Sequence, residues 1–401
     1  MAKQALPEID LACPENWQRL SALFGEEVRR SPLARLAQAG TLMVLSAHDL
    51  EEVLRDSRML ASGTRPLQSS GIFEGPLYEW WSRILVQSNP PMHTRLRGLL
   101  SRAFTPKRVE AMRPLVGQIA LELLAEGREN GCLDVTGRFA HDIPVRIISA
   151  MLGVPDGDHE VFGHWSNDIG MAFATVISPD SRKRIEEAIS NLHGYVGALV
   201  KDRRAAPKND LISALIEVEE AGDRLSEEEM LVMISNLIFA GHDTTKGLIS
   251  VMMNLLSEHP EQLEALRANP DLIPNAIEEI LRFEPIAAMT VRTAAEDLEI
   301  LGEPVKSGDQ VILVIPAANR DPEVFDAPER FDVTRPIQKN LSFGQGSHFC
   351  LGASLARLEA QEALRAVVEL GCTVEVVNPP ARWIPYATIR GFESLRVALR
   401  N

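Results

Sequence analysis

Cys350 lies where a glycine-rich turn meets a predicted helix, a position that suits a thiolate able to hold a metal. It belongs to residues 343–352, FGQGSHFCLG. The first amides of a helix have no partner within the helix, and the helix dipole favours an anion there. Both effects stabilise a cysteine thiolate. Gly344 and Gly346 permit a tight turn, and Gly352 lets the backbone approach a bound group closely.

Other roles for this cysteine have less support in the sequence. A cysteine without further context is usually a small buried hydrophobic residue. A zinc site needs paired ligands, and no C-x-x-C pair occurs among the four cysteines, Cys13, Cys132, Cys350 and Cys372. The run from Gly344 to Phe349 lacks the third glycine of a dinucleotide-binding turn. A peptidase nucleophile would need a partner base, and the residues alone leave that alternative open.

An acid and an alcohol stand side by side within the longest predicted helix. Residues 240–245 read AGHDTT, and a glycine with two threonines is a poor choice for the middle of a helix. Thr244 follows Ala240 by one turn, so its hydroxyl can bond the Ala240 carbonyl and open a groove in the helix. The alternative is a threonine pair without a function, and the role of the intervening His242 stays open.

Charged side chains recur at helical spacing elsewhere. Glu279 and Arg282 are three residues apart, and His93 and Arg97 are four apart, so each pair shares one helix face. Arg292 follows in a predicted strand. Arginine can bind a carboxylate through two parallel hydrogen bonds. Taken singly, each of these residues is more simply an ordinary surface group.

The segment around Cys350 resembles the haem-binding signature of the cytochrome P450 superfamily, F-x-x-G-x-x-x-C-x-G. Residues 240–244 are similar to the family's oxygen-binding groove, A/G-G-x-D/E-T, and Glu279 with Arg282 matches its E-x-x-R pair. The matching motifs come in the family's order from about residue 35 to the end of the chain. The resemblance implies a soluble, bacterial-type haem-thiolate monooxygenase.

The resemblance assigns roles to individual residues. Cys350 is the expected axial ligand of the iron in haem b, and Asp243 and Thr244 are the pair expected to relay protons. Arg330 is the expected third member of the Glu279–Arg282 cluster. The other residues expected to contact haem are His93, Arg97, Ala240, Gly241, Arg292, Phe343, Gly344, His348 and Gly352. The residues expected near substrate are Phe73, Trp81, Phe239, Ala288, Thr290 and Ile389.

The expected reaction inserts one oxygen atom of O2 into a lipophilic small molecule, most simply as a hydroxylation. Electrons would come from NAD(P)H through an external ferredoxin and its reductase, since no fused reductase module is expected. The alternatives are a peroxide-driven enzyme, which typically lacks the acid–alcohol pair, and a non-catalytic haem protein. The aromatic residues of 73–81 have two interpretations as well, since they either line the substrate pocket or anchor a lid helix.

The elements that position these residues are mainly helical, with a small β part, so the predicted class is α+β with the cytochrome P450 fold. One domain spans 1–401. The longest helix is predicted over 226–257, and it begins with a capping box of Ser226 and Glu229. Further helices are predicted near 92–104, 107–127, 138–152, 159–175, 181–204, 260–268, 274–283 and 351–370. Strands are predicted at 41–46, 291–300, 310–315, 372–377 and 394–400, with irregular chain at 67–90 and 319–335.

Composition limits the partners and the compartment. The formal net charge of −15 argues against nucleic acid as a main partner. No apolar run of membrane-spanning length and no signal peptide occur, so a cytoplasmic monomer is expected. Residues 92–113 are basic nevertheless, and they form either a solvated helix face or a docking patch for the acidic ferredoxin. Their cationic side chains are Arg95, Arg97, Arg102, Lys107, Arg108 and Arg113.

Overall fold

A computed structural model describes residues 5–174, 176–220, 225–377 and 381–400. Helices dominate the described chain. Their bounds are Pro14–Gln18 (α1), Leu20–Val28 (α2), Ala47–Arg55 (α3), Arg65–Ser69 (α4), Pro76–Arg83 (α5), Met92–Ala103 (α6), Pro106–Glu110 (α7), Arg113–Glu129 (α8), Ala140–Leu152 (α9), His159–Gly170 (α10), Pro179–Ala205 (α11), Leu211–Glu220 (α12), Glu227–Glu258 (α13), Pro260–Ala268 (α14), Ile273–Phe283 (α15), Ile315–Ala318 (α16) and Ala353–Leu370 (α17).

The strands form three small sheets. Their bounds are Glu8–Ile9 (β1), Leu33–Leu36 (β2), Leu42–Val44 (β3), Met59–Ala61 (β4), Leu133–Asp134 (β5), Met289–Ala294 (β6), Leu298–Ile300 (β7), Glu303–Val305 (β8), Gln310–Val314 (β9), Thr373–Val376 (β10) and Arg396–Arg400 (β11). The largest sheet has the order β1-β2-β3-β9-β6-β4, and the others are β10-β11-β5 and β7-β8. In the largest sheet β6 and β9 are antiparallel, with Val291 opposite Ile312.

The long central helix is close to its predicted bounds. Ser226 accepts a hydrogen bond from the amide of Glu229, and the Glu229 side chain accepts from the amide of Ser226. This reciprocal pair satisfies two amides that the first turn of a helix leaves unpaired. The helix ends before Pro260, which starts α14 at a position where its missing N–H costs nothing. Most side chains of α13 are buried, because the helix runs through the largest apolar core.

Three expectations about elements differ from the structure, each at a proline or a turn. Residues 67–90 contain helix α5, because Pro76 stands in its first turn and starts the helix instead of breaking it. The helix predicted over 107–127 is two helices, and Pro114 stands in the first turn of the second, which begins at Arg113. The strand predicted over 291–300 is β6 and β7, separated by residues 295–297.

The core is divided between helices and sheet. One large cluster joins α13 to α8, α9, α10, α11 and α17, and two smaller clusters lie against the six-stranded sheet. Burial of apolar surface on this scale is the main stabilising contribution to a domain. Among the described residues, no helix is both long and apolar enough to cross a bilayer.

Candidate active site

The loop that carries Cys350 is held in shape by glycines and by one backbone hydrogen bond. Gly344 and Gly346 have φ angles of 69° and 72°, which side chains other than glycine rarely adopt. A Cβ on Gly346 would lie 2.8 Å from the carbonyl oxygen of Leu54. The Cys350 amide donates to the carbonyl oxygen of Phe343 at 2.9 Å. The loop therefore delivers Cys350 to the amino end of α17, as the sequence predicts.

The surroundings of the Cys350 sulfur act on it in opposite directions. Burial raises the pKa of the Cys350 thiol, while the amides of Gly352 and Ala353 and the cations Arg97 and Arg357 lower it. Amide donors and nearby cations stabilise the thiolate, which is the form that binds metal. The sulfur thus has the donors needed to remain an anion when a metal balances its charge.

Four cationic or hydrogen-bonding side chains converge beside this loop. His93 and Arg97 lie on α6, Arg292 lies on β6, and His348 comes from the Cys350 loop. The rings of His93 and His348 are 4.1 Å apart between centroids. Arg97 donates to the carbonyl oxygen of Phe349 at 2.6 Å, so α6 contacts the Cys350 loop directly.

These four groups have no acidic partner among the described residues. Burial and the neighbouring Arg292, His93 and Arg97 lower the pKa of His348 to about 3. Burial lowers the pKa of Arg292 to about 10. The Nε2 atom of His93 is buried, and no described residue forms a hydrogen bond with it. Such a cluster of donors suits two carboxylates of a bound group, and the two propionates of haem fit that description.

The middle of α13 carries the acid–alcohol pair, Asp243 and Thr244. The Thr244 hydroxyl donates to the carbonyl oxygen of Ala240 at 2.7 Å, the bond that the sequence allows. Ala240 is exposed although most of its helix is buried, and a Cβ on Gly241 would lie 3.4 Å from Ile148. Burial raises the pKa of the Asp243 carboxyl. An exposed apolar surface at Ala240 beside a partly buried acid and an alcohol fits a flat cofactor with a proton donor next to it.

Aromatic side chains form a short stack that includes Phe239 of α13. The ring of Trp81 lies 4.8 Å from that of Phe173, and Phe173 stacks on Phe239 at 4.7 Å. Phe173 was not among the residues expected from the sequence. The chain from residue 388 joins this group, because the Thr388 hydroxyl donates to the carbonyl oxygen of Phe173 at 2.9 Å. The stack therefore connects α5, α13 and the C-terminal loop.

The remaining residues expected near substrate, Ala288, Thr290, Ile389 and Phe73, differ in their burial and in their contacts. Ala288 is fully buried, and its amide donates to Thr388. Ile389 forms a bridge with Ala287, so it lies at the same edge. Thr290 accepts a hydrogen bond from Arg292 at 3.0 Å and thus serves the cationic cluster. Phe73 is 65% exposed and makes no ring contact among the described residues.

The two tryptophans of α5 are anchored by their indole N–H groups. Trp80 donates to the Ser235 hydroxyl on α13 at 3.0 Å, and Trp81 donates to the carbonyl oxygen of Gly63 at 2.9 Å. Both side chains are almost completely buried. Trp80 therefore fits the anchoring interpretation, whereas Trp81 also belongs to the stack described above.

The prediction that Arg330 completes the Glu279–Arg282 cluster is wrong. Arg282 donates to Glu279 at 2.7 and 2.8 Å, and the third member is Arg335, which donates to Glu279 at 3.1 and 3.2 Å. The Arg330 side chain is 71% exposed and pairs with Asp332. Both arginines lie in the irregular segment 319–335, and only the Arg335 side chain turns inward to Glu279.

The basic residues of 92–113 differ in whether they form ion pairs with other described residues. Arg95 pairs with Glu229, and Arg113 pairs with Glu110 and Glu362. The side chains of Arg102 and Lys107 are exposed. No described residue forms an ion pair with Arg102, Lys107 or Arg108. We call these three the basic patch. Arg357 on α17 is bound to Glu278.

Comparison with known proteins agrees with this arrangement. The family model of cytochrome P450 matches residues 31–370. The chain is a cytochrome P450. The 6-deoxyerythronolide B hydroxylase of Saccharopolyspora erythraea is 38% identical to it over 399 residues, which cover 96% of each protein. The polyketide biosynthesis cytochrome P450 PksS of Bacillus subtilis is 37% identical over 318 residues, 79% of this chain and 77% of that protein.

A solved structure shows the same fold. The structure of P450BioI in complex with an acyl carrier protein ligated to hexadec-9Z-enoic acid superposes with a TM-score of 0.87 and 32% identity. The match covers 96% of this P450 and 100% of that chain. As a cytochrome P450, the protein is an oxidoreductase of the haem-thiolate monooxygenase type, which uses haem with a cysteine thiolate and O2.

Proposed function

We propose that this P450 hydroxylates a lipophilic small molecule, with polyketide-derived lactones as the first class to test. The observation that carries the proposal is the placement of Cys350 at the amino end of α17, together with a partly buried acid–alcohol pair on α13. The substrate class is supported by the names of two relatives, a 6-deoxyerythronolide B hydroxylase and a P450 of polyketide biosynthesis.

The protein would bind haem at two places, the iron and the two propionates. Cys350 would bind the iron, and His93, Arg97, Arg292 and His348 would bind the propionates. When bound, the haem supplies activation of O2, and the thiolate favours cleavage of the O–O bond. Residues 343–352 shape the loop on the cysteine side, where Phe343 packs beneath the guanidinium of Arg357 at 4.5 Å.

Asp243 and Thr244 would deliver the protons of the reaction. The substrate, O2, two electrons and two protons give the hydroxylated product and water. Protons must therefore reach a site from which bulk water is excluded, so that electrons are not lost to hydrogen peroxide. Thr244 would orient and donate a hydrogen bond, and Asp243 would resupply it, because burial raises the pKa of the Asp243 carboxyl and so favours the protonated form.

Trp81, Phe239, Ala288, Thr290 and Ile389 are the proposed substrate contacts. The stack through Phe173 gives this group an apolar surface, which suits a lipophilic molecule. Phe73 stays a weaker candidate, since its side chain faces solvent.

Electrons would come from NAD(P)H through a reductase and an acidic ferredoxin. The basic patch supports this partner, because α6 carries both Arg102 on its exposed face and Arg97 in contact with the Cys350 loop. A peroxide-driven reaction is less well supported, because the Asp243–Thr244 pair that such enzymes typically lack is intact. We place the enzyme in the cytoplasm as a single-domain monomer.

A spectral titration of the purified ferric protein tests the proposal. We expect 6-deoxyerythronolide B or a related macrolactone to produce a saturable low- to high-spin change. Fatty acids, steroids and terpenoids serve as the comparison panel. With ferredoxin, reductase and NAD(P)H, the responding compound should then yield a product heavier by one oxygen atom. Oxygen consumption without any oxygenated product from a compound that shifts the spin state would contradict the proposal.

The threonine pair offers a matched test of proton delivery. Thr244→Ala should raise the fraction of consumed oxygen that appears as hydrogen peroxide, by roughly ten-fold if one positioned donor is lost. Thr245→Ala is the control, because Thr245 is buried beside it without the bond to Ala240. Unchanged peroxide in Thr244→Ala would remove Thr244 from the proposed role.

A further inference from the structure

Residues 383–391, between β10 and β11, form the C-terminal loop, and its second half packs against the candidate site. The carbonyl oxygen of Thr388 accepts a hydrogen bond from the Ala288 amide at 2.9 Å. The Thr388 hydroxyl donates to the carbonyl oxygen of Phe173 at 2.9 Å. The next residue, Ile389, forms a β-bridge with the chain that precedes β6. The loop is thus bound on its inner side to the residues around the aromatic stack.

The same loop lies against the central helix, one turn beyond the acid–alcohol pair. A Cβ on Gly247 of α13 would lie 2.8 Å from the carbonyl oxygen of Arg390, so a glycine is needed for the loop to come this close. Gly247 follows Asp243 by four residues and Thr244 by three, which places it on their side of the helix. A shift of the C-terminal loop therefore changes the space beside this pair.

The outer side of the C-terminal loop is bound by the amino-terminal helices. The side-chain amide of Gln18, at the end of α1, donates to the carbonyl oxygen of Trp383 at 2.8 Å. The same amide accepts a hydrogen bond from the backbone N–H of Trp383 at 2.9 Å. Two residues of paired antiparallel strands exchange hydrogen bonds in the same way. One side chain of α1 thus satisfies both backbone groups of a residue near the other end of the chain.

Trp383 transmits this restraint to the part of the loop that reaches the site. The guanidinium of Arg390 lies over the Trp383 ring at 3.7 Å. Arg390 is almost completely buried, donates to the Ser21 hydroxyl of α2 at 2.8 Å, and pairs with Glu284. Because Arg390 directly follows Ile389, a displacement of Trp383 disturbs the neighbour of a residue expected near substrate.

Tyr386 shows that the C-terminal loop needs an external restraint. Its φ angle is 61°, a left-handed conformation that residues other than glycine rarely adopt. Its hydroxyl donates to the carbonyl oxygen of Ala12 at 3.0 Å, and its ring meets the ring of Trp17 edge-on at 5.8 Å. A strained residue persists only where its surroundings hold it. Here the contacts come from α1 and from the chain that precedes it.

We propose that Gln18 is a positioning residue for substrate selection, because it holds the C-terminal loop against the substrate pocket. The inference rests on the proposed function in one respect, the assignment of Ile389 to the substrate contacts. Loss of the Gln18 hydrogen bonds loosens the loop. A ligand large enough to touch the loop must then order it on binding, which weakens its affinity. A ligand that reaches only the iron is unaffected.

The test compares a small and a bulky nitrogen ligand of the haem iron, imidazole and clotrimazole, in the ferric holoenzyme. Each ligand shifts the main haem absorption band when it binds, and a titration gives its Kd. Gln18→Leu nearly keeps the size of the side chain and removes both hydrogen bonds. We expect it to weaken clotrimazole binding by roughly five-fold, the effect of a typical hydrogen bond, and to change the Kd of imidazole by less than about two-fold.

Asn16→Leu is the matched control. Asn16 lies on the same helix, but it donates to the carbonyl oxygen of Asp10 within the amino-terminal segment. This variant should leave both Kd values unchanged. Tyr386→Phe tests the same restraint from the side of the loop, because it removes the bond to Ala12 and keeps the ring. It should weaken clotrimazole by about two-fold without affecting imidazole. The thiolate-type spectrum of the carbon monoxide complex shows that each variant keeps its haem site.

Hydrogen–deuterium exchange, measured by mass spectrometry, reports on the C-terminal loop directly. The amides of Ile384 and Arg390 donate to the carbonyl oxygens of Gly391 and Ile286, so neither is bonded to Gln18 itself. Faster exchange at these amides therefore measures loosening of the loop beyond the substituted contact. Gln18→Leu should speed the exchange of a peptide that covers residues 384–391, and Asn16→Leu should not.

Selective weakening of clotrimazole together with faster exchange in Gln18→Leu supports the inference, and the absence of either one overturns it. Equal weakening of imidazole and clotrimazole also overturns it, since a general loss of structure would then be sufficient. Neither measurement uses a macrolactone or turnover. An enzyme that hydroxylates macrolactones but binds clotrimazole equally well as Gln18→Leu would retain the proposed function and reject this role of Gln18.

Discussion

Burial has different consequences for individual acidic side chains of this P450. Glu359 on α17 is fully buried, and neither of its carboxyl oxygens has a hydrogen-bond partner among the described residues. Burial raises its pKa well above the usual value. Glu279 on α15 is also buried, yet Arg282 and Arg335 balance its charge. An ionised carboxylate is retained in the core only where such partners are present.

Glu359 should make the stability of the protein depend on pH. Its folded pKa lies above its unfolded pKa, so the folded state binds the proton more tightly. Above the unfolded pKa the free energy of unfolding then falls by roughly 1 kcal/mol per pH unit, until the folded pKa is reached. Glu359→Gln removes this dependence. We expect the stability of the variant, relative to the unchanged protein, to rise with pH above the usual pKa of a glutamate, measured by urea unfolding.

Glu369→Gln is the control for this measurement, because Glu369 is exposed on the same helix. Its difference from the unchanged protein should stay nearly constant over the same range. A Glu359→Gln difference that does not change with pH would show that Glu359 ionises normally in the folded state.

At the scale of elements, the irregular segment after α16 is held by helix α15. Arg282 donates to the carbonyl oxygens of Asn319 and Pro328, at 3.1 and 2.8 Å. Arg335 donates to the carbonyl oxygen of Asp326 at 2.6 Å as well as to Glu279. A segment without regular structure must find partners for its backbone carbonyls outside a helix or sheet. The two arginines supply them and so fix the approach to the Cys350 loop.

Substitution of Arg335 and of Arg330 should have different effects on the free energy of unfolding, because only Arg335 points inward. Arg335→Ala should lower the free energy of unfolding by about 2–3 kcal/mol, because it removes several charged hydrogen bonds from a nearly buried group. Arg330→Ala should change it by less than about 0.5 kcal/mol, since its ion pair is exposed. Urea unfolding gives both values, and equal losses in the two variants would contradict the assignment of Arg335.

At the scale of the whole molecule, charge is distributed unevenly. The net charge is −15, yet Arg102, Lys107 and Arg108 follow one another along α6 and α7, and Arg97 of α6 contacts the Cys350 loop. A cationic area on an acidic protein attracts acidic partners to one place and repels them elsewhere. Electron transfer to the haem would therefore begin on the cysteine side of the fold.

The basic patch should govern the rate of reduction. Arg102→Glu should slow reduction by an acidic ferredoxin and weaken its dependence on salt, because electrostatic attraction between the partners is lost. Stopped-flow reduction at several salt concentrations measures both effects. Lys201→Glu on α11 is the control, since Lys201 is exposed on another helix and should leave the rate unchanged. Equal rates for Arg102→Glu and the unchanged protein would exclude this docking site.

The sequence alone was sufficient for features that depend on neighbours within a few residues. The capping box of Ser226 and Glu229, the bond from Thr244 to Ala240, and the glycines before Cys350 are interactions within about one helical turn. Short-range contacts of this kind are encoded by residue type and spacing. The family signature around Cys350 is also local, and it was enough to indicate the fold and the class of reaction.

Only the tertiary structure decided which distant side chains meet. Arg335 rather than Arg330 reaches Glu279, Phe173 joins Trp81 to Phe239, and His141 of α9 meets His242 of α13. The contact between His141 and His242 depends on how α9 and α13 pack. Residue spacing along the chain carries no information on such distances, because they are set by the packing of whole elements.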